Sequence, residues 1–176
     1  MPETVRLWDP LVRICHWSLA IAFFGNYFLT EEGEDWHQWL GYWAAAAALL
    51  RIAWGFLSHG ASAWSDCAPT PARLRAWVRE FRAGGAPHRL GHSPPGALVM
   101  MLMLVAMLSL AVSGFLMEEV DYFWGDERLE TLHARVADGL AALVALHLLA
   151  ALVESVRLRE NLPLSMITGR RRLPRD

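Results

Sequence analysis

"GALVMMLMLVAMLSLAVSGFLM", residues 96–117, runs for twenty-two residues without one ionisable side chain. As a helix it has the roughly 20 residues needed to cross the hydrocarbon core of a bilayer. Three further windows have spanning length, at residues 11–29, 36–57 and 132–156, and each carries a histidine. With 55% hydrophobic residues in 176 and a positive mean hydropathy, the chain is too apolar for an ordinary soluble domain. The expected fold class is all-α: an integral membrane four-helix bundle over residues 1–160, followed by a basic cytoplasmic tail over 161–176. Membrane lipid is the medium, and no nucleic-acid partner is expected.

Charge orients the spans. The net charge is only −2, but all 16 basic residues are arginines, and they cluster. Arg73, Arg75, Arg79, Arg82 and Arg89 lie between the second and third spans, and Arg157, Arg159, Arg170, Arg171, Arg172 and Arg175 lie near the C-terminus. The other two connections, "TEEGEDW" and "EEVDYFWGDERLE", are nearly all acid. The positive-inside rule then places both termini in the cytoplasm of a bacterial inner membrane protein. The first apolar run is longer than a signal-peptide core and no small-residue cleavage site follows it, so it is read as a permanent helix. Cys15 and Cys67 are too few for a disulfide framework and belong to no CxxCH pattern, which argues against covalently attached haem.

Local signals refine the spans. In "LWDPLVR", Asp9 suits an N-cap and Pro10 the first helical position. The short connection 30–35 predicts that spans 1 and 2 are antiparallel neighbours. Trp36, Trp39 and Trp43 share one face at the start of span 2, as in an interfacial aromatic belt. "TPARLRAWVREFR" sets Leu74, Trp77, Val78 and Phe81 against four arginines, the pattern of a basic amphipathic helix on an anionic leaflet or of a solvated loop helix. "GHSPPGA" is expected to launch span 3 after its double proline.

The histidines raise the chemical question. "TLHARVADGLAALVALHLLA", residues 131–150, embeds His133 and His147 with Arg135 and Asp138 between them. Fourteen residues separate the two rings, about 21 Å of rise and four turns less roughly 40°. They share a face at different depths and cannot chelate one metal, which needs spacings of three or four. His37 starts span 2 at the level of His133, and His16 enters span 1 near the level of His147. Opposed imidazoles at one depth, in an apolar slot of a helical bundle, are the axial ligand set of a b-type haem. The depths therefore predict two haems, one held by His37 and His133 near the outer face and one by His16 and His147 nearer the inner face.

A single buried histidine has a plainer alternative, a ring hydrogen-bonded to a neighbouring helix, and proton or metal passage without redox chemistry is a further one. Intramembrane ionisable groups are nevertheless functional by default. Haem propionates need cationic partners. Arg51 and Arg13 suit the inner haem, and Arg135, with Arg128 nearby, suits the outer. Arg13 and Arg135 are also placed to snorkel to headgroups. Asp138 is expected to pair with Arg135. His59 is an alternative to His16, His88 reads as a surface residue, and His92 is either a turn residue or a contact for a proton or quinone headgroup.

The stretches "WDPLVRICHW", "WHQWLGYW...RIAWGF", "GHSPPGALVM" and "LHARVADGLAALVALH" resemble the bacterial cytochrome b561 family, which includes the b-type cytochrome subunits of nickel–iron hydrogenases. The resemblance covers about residues 5 to 160. It implies a four-helix membrane bundle with two b haems, ligated at His16, His37, His133 and His147, passing electrons between quinone and a redox partner. Ser93 departs from the asparagine common in the hydrogenase subunits. The expected function is electron transfer between the quinone pool and a periplasmic partner, a basic cytochrome c or an oxidoreductase subunit; a homodimer is an allowed assembly. The alternative is a superoxide:quinone oxidoreductase acting at the outer haem. The acidic outer loops repel a small anion and attract a basic protein, which favours the first.

Overall fold

A computed structural model describes residues 4–83 and 91–173; His88, Arg89 and Arg175 lie outside them. The described chain runs β1 (Thr4–Arg6), α1 (Pro10–Phe28), α2 (Asp35–Leu57), a 3₁₀ turn (Gly60–Ser62), α3 (Trp64–Cys67), α4 (Pro71–Arg82), α5 (Pro94–Glu119), a second 3₁₀ turn (Asp121–Phe123), α6 (Glu127–Leu158), α7 (Leu162–Thr168) and β2 (Arg170–Arg172). Among these, α2, α5 and α6 are each long and apolar enough to cross a membrane.

Polar side chains start the helices. Asp9 caps α1, its Oδ1 accepting from the Val12 amide at 2.9 Å, and Pro10 is the first helical residue, as the sequence predicts. Thr70 caps α4 through the Arg73 amide. In α5 the helix begins at Pro94 itself and not after the double proline, because Ser93 Oγ accepts from the Gly96 amide and the two prolines occupy the first turn, where missing N–H groups cost nothing. Asp126 Oδ1 likewise takes the Arg128 and Leu129 amides, so α6 starts at Glu127, earlier than the apolar run alone suggests.

The described residues divide into two compact units. The first comprises Met1–Arg13, Ala53–Met101 and Leu146–Asp176. In it β1 pairs antiparallel with β2 in the register Thr4↔Arg172, Val5↔Arg171, Arg6↔Arg170. The stretch read as a tail thus carries α7, capped by Asn161, and a strand. Gly169 ends α7 at φ 76, and its carbonyl accepts from the Leu7 and Trp8 amides; a Cβ there would meet the Trp8 carbonyl at 2.9 Å, so glycine is required. Arg171 points inward and forms a 3.0 Å ion pair with Glu160, both side chains buried. Asp9 belongs here too: Trp54 Nε1 donates to its Oδ2 at 3.0 Å and Ser62 Oγ at 2.5 Å.

The second unit comprises Ile14–Ile52 and Leu102–Ala145. Its buried residues are mostly small, Cys15, Ala22, Ala44, Ala47 and Ala48, while Leu49, Val105 and Val112 are exposed. Small residues inside and branched apolar ones outside is the inverse of a soluble core and suits helices packed in lipid. A Cβ on Gly25 would lie 2.9 Å from Leu40 Cδ1, so glycine permits α1 and α2 to approach closely.

Candidate functional site

His37 sits in the first turn of α2 and His133 in the second turn of α6, both in the second unit. Their ring centroids are 6.2 Å apart with the planes inclined at 53°. Both side chains are half-buried. The spacing can be compared with what a shared metal requires. An imidazole nitrogen binds a first-row metal at about 2.0–2.1 Å, and the ring centre lies about 1.1 Å behind that nitrogen, so two opposed imidazoles on one iron have centroids roughly 6.3 Å apart. The observed separation fits. Among the described residues no three histidine, cysteine or acidic side chains converge on a point that could hold a metal ion. The arrangement brings two imidazoles together at a spacing compatible with one iron between them, as in a six-coordinate b haem.

Each ring has a hydroxyl at Nδ1. Ser113 Oγ, on α5, lies 2.8 Å from His133 Nδ1, and Thr30 Oγ1, after α1, lies 3.2 Å from His37 Nδ1. Both hydroxyls also bond to the backbone one turn earlier: Ser113 donates to the Ser109 carbonyl at 2.8 Å and Thr30 to the Asn26 carbonyl at 3.2 Å. Asn26 Nδ2 in turn donates to the His37 carbonyl at 3.1 Å, fixing the start of α2. A Cβ on Gly114 would stand 3.6 Å from His133 Cε1, so the ring lies over a helix surface without a side chain.

Three further polar contacts lie within this unit. Tyr27 donates to Asp138 Oδ1 at 2.9 Å, so the carboxylate expected beside Arg135 takes a tyrosine hydroxyl from α1. Tyr42 donates to Glu119 Oε1 at 2.8 Å, joining α2 to α5. The Glu31 amide is held by Glu34 Oε2 at 3.3 Å, while Glu31, Glu32, Glu34, Asp35, Glu118, Asp121, Glu127 and Glu130 are exposed. The acidic rim is therefore available to solvent, apart from Asp126, which serves as a helix cap.

The remaining predicted residues fall as follows. His16, half-buried, packs edge-on against Trp17 in the second unit at 5.3 Å between centroids. His147 is half-buried in the first unit. Arg51 is buried on α2. Arg13 is half-buried, with Nη1 near Gly169 and a buried Nε that has no hydrogen-bond partner among the described residues. Arg135 and Arg128 are exposed. His59 is exposed beside the first 3₁₀ turn, and His92 packs edge-on against Trp8, with centroids 4.9 Å apart.

Thr30, Asn26 and Ser113 were not among the residues the sequence singled out. The one available signal was that Ser109 and Ser113 are the only hydroxyls in the uncharged run 96–117. Comparison with known proteins adds one finding: a family model described as prokaryotic cytochrome b561 matches residues 7–169. No curated protein and no solved structure matches the chain.

Proposed function

Because the chain belongs to the prokaryotic cytochrome b561 family and is thereby a membrane b-type cytochrome of electron transfer, we propose that it is a di-haem protein carrying electrons between a periplasmic redox partner and the quinone pool. In this proposal α1 is the fourth span of a bundle whose termini both face the cytoplasm, in the bacterial inner membrane. His37 and His133 hold the outer haem, and His16 and His147 the inner. A haem b iron supplies reversible one-electron transfer between its ferrous and ferric states.

The observation that carries the proposal is the His37–His133 pair: two rings 6.2 Å apart, each backed at Nδ1 by a hydroxyl. The other residues bind and orient. Arg13 and Arg51 are the cations for the propionates of the inner haem, and Arg135, with Arg128, for those of the outer. The apolar faces of α2, α5 and α6 exclude water, which tunes the potential through burial. Quinone exchanges electrons with the inner haem at the cytoplasmic side in this reading.

The exposed acidic rim supports a basic protein as the periplasmic partner, a cytochrome c or an oxidoreductase subunit, over direct capture of superoxide. Haem quantitation with redox titration tests the proposal. Two b haems per chain are expected, with His37→Ala or His133→Ala removing one and His16→Ala or His147→Ala the other. A folded, colourless protein would overturn it, and haem reduction by superoxide near the encounter rate would replace the protein partner with the small anion.

A further inference from the structure

Resting on the haem assignment of the His37–His133 pair, we propose that Thr30 and Ser113 are positioning residues that fix the tautomer of both rings, each hydroxyl accepting the Nδ1 proton so that each Nε2 presents its lone pair to the iron. A hydroxyl has one proton and two lone pairs. The proton of Ser113 is committed to the Ser109 carbonyl at 2.8 Å, with the Leu110 carbonyl also in reach at 3.2 Å. The 2.8 Å contact with His133 Nδ1 must then have its proton on the ring nitrogen; otherwise two lone pairs would face each other. A neutral imidazole carries one N–H, so Nδ1–H leaves Nε2 unprotonated.

The same logic holds for Thr30, whose hydroxyl donates to the Asn26 carbonyl and faces His37 Nδ1 at 3.2 Å. Its contacts are longer, so its hold is weaker. Neither hydroxyl lies on the helix that carries its histidine: Thr30 follows α1 and serves α2, and Ser113 on α5 serves α6. A donor bond from Nδ1–H makes Nε2 more electron-rich and favours ferric over ferrous iron. Losing the hydroxyl therefore raises the midpoint potential of this centre and weakens its haem.

The test uses the full chain with its haems in lipid nanodiscs. Wild type should titrate in two waves, and His133→Ala should lose one, which identifies the wave of this pair. In Ser113→Ala that wave is expected to move upward by about 59 mV, the equivalent of a tenfold loss of ferric preference in a one-electron couple. Haem affinity should fall about ten- to a hundredfold. Ser113→Thr should restore both, because its hydroxyl keeps the carbonyl and ring contacts. Thr30→Val should shift the same wave less, and Thr30→Ser should restore it. Wild-type potential and haem retention in both Ser113→Ala and Thr30→Val would overturn the proposal. So would a Ser113→Thr variant as displaced, or as depleted of haem, as Ser113→Ala. Two unchanged waves in His133→Ala would instead remove the haem assignment on which the proposal rests.

Discussion

Two regions of this protein handle buried polar groups in opposite ways. Around Asp9 every oxygen is used: Oδ1 takes the Val12 amide, and Oδ2 takes the Trp54 indole and the Ser62 hydroxyl. Nearby, Glu160 takes both the Arg171 guanidinium and the Arg172 amide. Glu160 and Arg171 offset one another's charge, and the Asp9 carboxylate is satisfied by three neutral donors. At His37 and His133 the hydroxyls of Thr30 and Ser113 address Nδ1, and among the described residues no hydrogen bond to Nε2 is seen. The difference separates a clasp, which holds β1 against β2, from a pair of rings to which the proposal assigns a haem.

The sharpest way to break that distinction is to remove a ring. His133→Ala should abolish one of two haems per chain and its redox wave, while leaving the clasp and the helical content unchanged; optical titration and circular dichroism check this. Next comes the clasp. Arg171→Met removes the cation from a buried ion pair while the Glu160 carboxylate keeps the Arg172 amide, and should lower stability by about 3–5 kcal/mol, read as thermal unfolding in detergent, with the redox wave assigned to the histidine pair unmoved.

Asp9 should give a smaller effect with a pH signature. Burial alone pushes its carboxyl up, but hydrogen bonds from Ser62, Val12, Trp54 and Leu11 together outweigh this and hold it below the ordinary 3.8. A depressed carboxylate adds stability that is fully present above the unfolded value and is lost as pH falls through the folded one. Asp9→Ala should therefore cost about 2 kcal/mol near neutrality and flatten the loss of stability that wild type shows below about pH 4. The smallest effect belongs to Tyr27→Phe. Its bond to Asp138 is exposed and competes with solvent, so a loss of stability smaller than that of Asp9→Ala is expected. A larger loss there, or a moved haem potential, would make Asp138 part of the site.

The sequence made some of this legible and hid the rest for physical reasons. The uncharged run 96–117 and the Asp9–Pro10 start of α1 rest on local chemistry: the run lies within α5, which begins two residues earlier at Pro94, and α1 starts at Pro10. The expected match in level of His37 with His133 rested on helical rise and on the direction assigned to each span, and the two ring centroids lie 6.2 Å apart. Long-range pairing was beyond such logic. β1 and β2 have three residues each, too short for a periodic signal, and lie at opposite ends of the chain. Asp9 was legible as a cap, but not as the partner of Trp54 and Ser62, 45 and 53 residues away. Ser113 carries no sequence signal of its own beyond lying in an apolar helix; its contact with His133 Nδ1, 20 residues away, needs the fold.

The account depends most on His37 and His133 gripping one iron from opposite faces. Electron paramagnetic resonance of the oxidised protein, with haem counted per chain in wild type and His133→Ala, tests this most directly. The expected result is two low-spin bis-imidazole ferric signals in wild type and one in the variant, with one haem fewer. An unchanged pair of signals in His133→Ala, or a high-spin centre in wild type, would contradict it.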